Sequence, residues 1–160
     1  MNKQRLLEQI IAALETDLAT LSDAARAAHS AATHAECAPD NKYDTTALEA
    51  SYVAQGQANR AAEIRQALER YRNLELRTFD DQTPIRLTAL VTLEDAGGSC
   101  RQVFLGPDAG GMKLNLDGME CVVITPEAPL GMALLGKLCD DEIEIGNSTA
   151  RKSYCVSAVA

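Results

Sequence analysis

Apolar residues recur at Leu7, Ile11, Leu14, Leu18, Leu21, Ala25, Ala28 and Ala32, at intervals that alternate four and three. That period is the signature of a coiled-coil seam. The run contains neither Gly nor Pro. It predicts one helix from about residue 3 to about residue 33, roughly 45 Å long at ~1.5 Å per residue. Pro39 and its neighbours stop it. The pattern then resumes at Ala47, Ala50, Ala54, Gln57, Ala61, Ile64, Leu68 and Tyr71, alternating three and four, with Gln57 the one polar member. Asp44 or Thr45 is placed to cap this second helix, with Glu49 reaching back toward the cap. Gly56 is a mild flaw, costing up to ~1 kcal/mol relative to Ala.

Folding the two seams about Pro39 pairs Leu7 with Tyr71, Leu14 with Ile64, Leu21 with Gln57 and Ala28 with Ala50. Large residues meet at the base and alanines meet near the tip. The expected form is an antiparallel helical hairpin, stout at its base and slim at its end. A coiled coil with a second chain is the alternative that the same heptads allow. At the tip, Ala35-Glu36-Cys37-Ala38-Pro39-Asp40-Asn41 presents two carboxylates, Glu36 and Asp40. Function is expected there.

The chain has 160 residues and a formal charge of −8, with 46% hydrophobic residues. An acidic balance argues against binding a nucleic-acid backbone directly, which needs clustered Lys and Arg. No apolar run approaches the ~18 residues of a membrane span. The opening MNKQRLLEQIIAALETD turns acidic too early for a signal peptide. Cys37, Cys100, Cys121, Cys139 and Cys155 are odd in number and form no Cys-x-x-Cys. Reduced thiols in a cytoplasm are therefore expected. His34, Glu36, Cys37 and Asp40 match no common zinc spacing.

Pro84 opens a different regime. Period-two and β-rich runs cover 85–93, 100–105, 119–124, 142–145 and 153–159, separated by Gly- and Asp-rich turns. One short helix is expected over 129–135, ended by Gly136. The prediction is an α+β chain. Residues 1–76 form the hairpin, 77–83 a linker, and 84–160 a domain of about five strands and one helix. Cys100, Cys121 and Cys155 fall within strands and are read as buried structural thiols.

Two stretches carry a family resemblance. Ile124-Thr125-Pro126-Glu127-Ala128-Pro129-Leu130-Gly131-Met132-Ala133-Leu134-Leu135-Gly136-Lys137, with Asp140-Asp141-Glu142-Ile143-Glu144-Ile145 after it, is similar to a Ser-Pro-Ile-Ala-x-x-Leu-Ile-Gly-Lys segment and the acidic strand that follows it. Asn41-Lys42-Tyr43-Asp44, with Glu49, Tyr52 and Gly56 beyond, is similar to a Glu-Asn-x-x-Tyr start of a second helix. Both segments belong to the Gre (GreA/GreB) family of bacterial transcription elongation and transcript cleavage factors, which this chain resembles in length and domain order.

The resemblance implies a C-terminal antiparallel β domain like that of FK506-binding proteins, and RNA polymerase as partner. It implies docking through Thr125 and Pro126 at the rim of the secondary channel. It further implies a hairpin tip that helps hold a second Mg²⁺ with Glu36 and Asp40, so that the polymerase's own cleavage of backtracked RNA is stimulated. The expected protein is a monomeric accessory factor, not a free-standing enzyme, with no nucleic-acid sequence specificity of its own. Three residues separate Glu36 from Asp40, where the family has two between its acids. That difference motivates a channel-binding regulator without cleavage activity; a coiled-coil chaperone or scaffold is the remaining class. Prolyl isomerase activity is not expected, because Phe104 and Tyr154 are the only aromatic residues from Pro84 onward.

Overall fold

The computed structural model describes residues 2–36 and 44–160, and side chains over 2–31 and 48–160. Two long helices come first, α1 (Lys3–Glu36) and α2 (Asp44–Arg72). The Asn2 side-chain oxygen accepts a hydrogen bond from the Arg5 N–H at 3.2 Å, which caps α1. Arg70 and Arg72 sit in the last turn of α2, where cations complement the helix dipole. The strands β1 (Leu90–Asp95), β2 (Cys100–Leu105), β3 (Lys113–Leu116) and β4 (Met119–Ile124) follow. A short helix, α3 (Pro129–Leu134), then precedes β5 (Glu142–Ile145) and β6 (Lys152–Val159). The layout is α+β, as the sequence predicts.

The sheet has six strands in the order β3-β4-β2-β1-β6-β5. It differs from expectation in three ways. First, β3 is an additional strand. It forms a hairpin with β4 through Asp117 and Gly118, both at positive φ (52° and 88°), the conformation a two-residue hairpin turn demands. Second, the sheet is mixed, because β2 pairs in parallel with β4, Gln102 opposite Cys121. The chain leaves β2, builds the edge strand β3, and returns beside β2. Third, the run over 85–93 is strand only from Leu90 onward. Before it, Thr88 turns to a φ of 76°, a conformation that costs a β-branched residue energy and breaks the extended backbone. Ile85 instead exchanges backbone hydrogen bonds with the Gly136–Lys137 segment, at 2.9 and 2.8 Å.

The chain divides into two compact units. One takes the residues up to Ile10 together with Arg70–Ala160; the other is Ile11–Glu69. In the first unit, strand alternation sends Val91, Leu93, Val103, Leu105 and Val156 to one face, where they form a buried core with Leu134 of α3. Leu90, Phe104 and Val123 alternate to the other face and are also buried. Leu6, Leu7, Ile10 and Tyr71, from the bases of α1 and α2, are buried in this same unit. The segment 77–83, expected as a linker, lies within this unit too. Phe79 packs against the core, and the Arg77 N–H donates to Thr88 Oγ1 at 3.0 Å. Lys3 Nζ sits 4.7 Å from the centre of the Phe79 ring and donates to the carbonyls of Arg77 and Thr88. Burial lowers the pKa of its ammonium.

The second unit consists, in its described part, of the two helices. At the seam positions Leu14, Ile64 and Leu68 are buried, and Leu18 and Leu21 are half-buried. Farther out the alanines do not close on one another as the seam predicts. Ala25, Ala28, Ala50 and Ala54 are exposed and line an open groove of about 520 Å³. The physical reason is area. A methyl group contributes about 0.8 kcal/mol on burial, against roughly 1.5–3 kcal/mol for a leucine side chain.

Among the described cysteines, Cys121 is buried and Cys139 and Cys155 are half-buried. Cys100 is exposed, contrary to its reading as a buried thiol. It opens β2 directly after the Gly97–Gly98 turn, before the strand enters the core.

Candidate functional site

Of the four residues proposed from sequence, two are placed by the described structure. Thr125 and Pro126 form the turn between β4 and α3, and both are half-buried. The Thr125 carbonyl accepts the Ala128 N–H at 3.1 Å, which closes the turn. Ala128 is the N-cap of α3, with Pro129 next, where the missing N–H of a proline costs nothing. Two glycines let the chain crowd around Thr125. A Cβ on Gly131 would collide with the Thr125 carbonyl, and a Cβ on Gly110 would lie 3.3 Å from the Thr125 methyl. The turn is therefore fixed by close backbone packing on both sides.

The helix that this turn opens presents apolar side chains outward. Met132 is 60% exposed and Leu135 is 41% exposed, while Leu134 is fully buried. Sequence reasoning did not single out Met132 and Leu135. The available signal was composition: Pro-Leu-Gly-Met-Ala-Leu is apolar on every side, more than one buried face can use.

The loop after β2, in the same unit, is tied to the base of α2. Arg70 makes a two-pronged ion pair with Asp108, Nη1 lying 3.1 and 3.0 Å from its carboxylate oxygens. Tyr71 donates its hydroxyl to the Asp108 carbonyl at 2.6 Å. Burial pushes the Tyr71 phenol well above its ordinary pKa, and the nearby Asp108 charge acts in the same direction.

Glu36 is the last residue of α1, and its side chain lies outside the described residues, as do Asp40 and Cys37. The carboxylates of the expected metal-holding pair therefore lie outside the described residues. Their donor set, two carboxylates, has the chemistry of a hard divalent cation such as Mg²⁺. Among the described residues, no group of three or more His, Cys, Asp or Glu side chains is arranged to hold a metal ion. No described helix is long and apolar enough to cross a membrane.

No protein-family model matches the sequence, and no curated protein matches it. Solved structures do. The chain is similar to Gre-type transcription factors. A structure of the transcription factor Gfh1 is 22% identical, with 93% of this chain and 92% of that one covered and a TM-score of 0.40. GreA factor homolog 1 (Gfh1) of Thermus thermophilus is 17% identical over 94% of both chains, with a TM-score of 0.38. The elongation factor GreA/GreB of Nitrosomonas europaea is 18% identical over 61% of this chain and 78% of that one, with a TM-score of 0.36.

Proposed function

We propose that this protein is an RNA polymerase-binding elongation factor that docks through the Thr125–Pro126 turn and carries Glu36 and Asp40 into the polymerase's secondary channel. The observation that carries the reading is the placement of the family-like segment. Its residues fall, in the required order, on the end of β4, the Thr125–Pro126 turn, α3 and β5. Two long helices, one ending on Glu36 and the other beginning at Asp44, with Asp40 between them in the sequence, supply the second element of the reading.

At the polymerase, Glu36 and Asp40 would offer carboxylate oxygens to a second Mg²⁺ ion. Such a metal would supply neutralisation of charge on the attacking and leaving oxygens of phosphodiester hydrolysis. The protein then stimulates cleavage by the polymerase and is an accessory factor in the cytoplasm, not an enzyme in its own right. A second reading, a channel-binding regulator that does not stimulate cleavage, is favoured by the three-residue spacing between Glu36 and Asp40.

The test is RNA cleavage in a backtracked elongation complex, with the wild-type protein and with Glu36→Ala/Asp40→Ala. Cleavage that disappears in the double variant is the expected result. Competition against a known channel-entering factor without cleavage selects the second reading. Neither cleavage nor competition overturns both.

A further inference from the structure

The six-residue α3 covers only part of the sheet face on which it packs. Leu130 and Leu134 reach the core from it. Farther along, the same face carries Arg101 on β2, in alternation with Val103, and Tyr154 and Lys152 on β6, in alternation with Val156. Register places Lys152 opposite Ile145 of β5, and Arg101 opposite Leu93 of β1. The uncovered end of the face opens as a cleft of about 420 Å³, with Pro129, Leu130 and Ile145 among its walls and Arg101, Lys152 and Tyr154 lining it.

The electrostatics of this cleft run against those of the chain. The protein carries a net −8, yet two cations flank an apolar recess here. The Arg101 guanidinium lies 4.2 Å from the centre of the Tyr154 ring. Stacking on an aromatic face fixes a guanidinium while leaving its N–H fork available. Among the described residues, neither Arg101 nor Lys152 has an ion-pair partner. Asp95 pairs in register with Tyr154, but its carboxylate is turned to its own loop, accepting the Gly97 and Ser99 N–H groups at 2.8 and 2.9 Å.

We propose that this cleft is a docking site for an extended segment of a partner protein in which an aliphatic side chain is flanked by aspartate or glutamate. The aliphatic group fills the recess between Pro129, Leu130 and Ile145. The flanking carboxylates meet Arg101 and Lys152 in charge-assisted hydrogen bonds. The chemistry favours a peptide over single-stranded RNA. A phosphate backbone needs a continuous basic track, and outside this cleft it would meet the field of an acidic protein.

The probe is a fluorescein-labelled nonapeptide of alternating Glu and Leu, titrated with the full chain and read by anisotropy. A free peptide makes the outcome independent of whether the chain meets a polymerase. The comparison uses Arg101→Gln, Lys152→Gln and the double variant, each checked for unchanged circular dichroism and melting. Both residues are exposed, and Lys152→Gln leaves the Arg101–Tyr154 stack intact should Arg101→Gln loosen it. The expected result is saturable binding that weakens about tenfold for each cation removed, weakens with added salt, and is lost when Gln replaces Glu in the peptide. Absence of binding at millimolar protein, equal binding by the double variant, or preference for a labelled oligoribonucleotide overturns the proposal.

Discussion

The Tyr71 hydroxyl donates to the Asp108 carbonyl at 2.6 Å, and this bond joins the base of α2 to the loop that leaves β2. Tyr71 is fully buried, so both its ring and its hydroxyl are accounted for inside the first unit. Removing the hydroxyl alone leaves the ring in place and the Asp108 carbonyl short of a partner. Tyr71→Phe is expected to cost about 1–1.5 kcal/mol of stability, the usual net worth of one hydrogen bond. Urea unfolding of the two proteins, with unchanged slopes, measures it.

Gly106 sits under the same side chain. A Cβ there would strike the Tyr71 hydroxyl and lie 3.1 Å from Val123 Cγ1. Gly106→Ala is expected to destabilise by about 1–3 kcal/mol through overpacking. Much of the collision is with the hydroxyl oxygen, so the loss should be smaller in the Tyr71→Phe background. A double-mutant cycle tests this, since contacting residues show non-additive losses.

Cys121 gives a pH dependence. Burial raises its thiol from 9.0 to about 11, so the folded state holds the proton where the unfolded chain has released it. The raised folded value means the stabilisation is complete below pH 9 and is lost as pH climbs toward about 11. Tyr71 acts in the same sense above its own ordinary value of 10.0. Stability measured between pH 8 and pH 11 should therefore fall with rising pH, and it should fall less steeply in Cys121→Ala than in the wild type.

Along the helix pair, two substitutions separate the closed part of the seam from the open part. Leu14→Ala, at a position only 4% exposed, should cost roughly 2–4 kcal/mol. Ala28→Ser, in the open groove, should change stability by less than about 0.5 kcal/mol, as exposed substitutions do. Thermal melts of both variants are the check. Equal losses would mean that the alanine seam is packed after all.

These contrasts also show what the sequence makes readable. The heptads place Leu7, Leu14, Ile64, Leu68 and Tyr71 at buried positions, because periodicity reports which side of a helix is apolar. Periodicity does not report how much area each residue brings, and the alanines satisfy the pattern without closing the groove. Strands β2, β4 and β5 are legible from their turn-bounded β-rich runs. β3 is not, since Lys113–Leu116 is short and half polar, although Asp117–Gly118 is a hairpin signal that implies a strand on either side. The parallel β2–β4 pairing is a long-range choice with no local mark. The bend at Thr88 is hidden for a related reason: a threonine at positive φ is held by its surroundings, among them the Arg77 N–H on its hydroxyl. At the candidate site, the Thr125–Pro126 turn is visible in the sequence because Pro126, Pro129 and Gly131 mark it locally, while the packing of Gly110 on Thr125 is not. The Arg101–Tyr154 stack is not, because it reaches across β1, between strands fifty residues apart in the chain.

The place of β6 in the sheet has a consequence for how the chain is built during synthesis. β6 lies between β1 and β5, and Leu90 and Ala160 exchange backbone hydrogen bonds at 2.9 Å. The first unit also draws on residues near the start of the chain, with Lys3 reaching the Thr88 carbonyl. Parts of this unit that lie far apart in the chain thus depend on each other. A ribosome releases the heptads of α1 and α2 well before the sheet has its full set of strands. Leu6 and Ile10, buried in the finished unit, thus leave the ribosome before β6 can take its place beside β1.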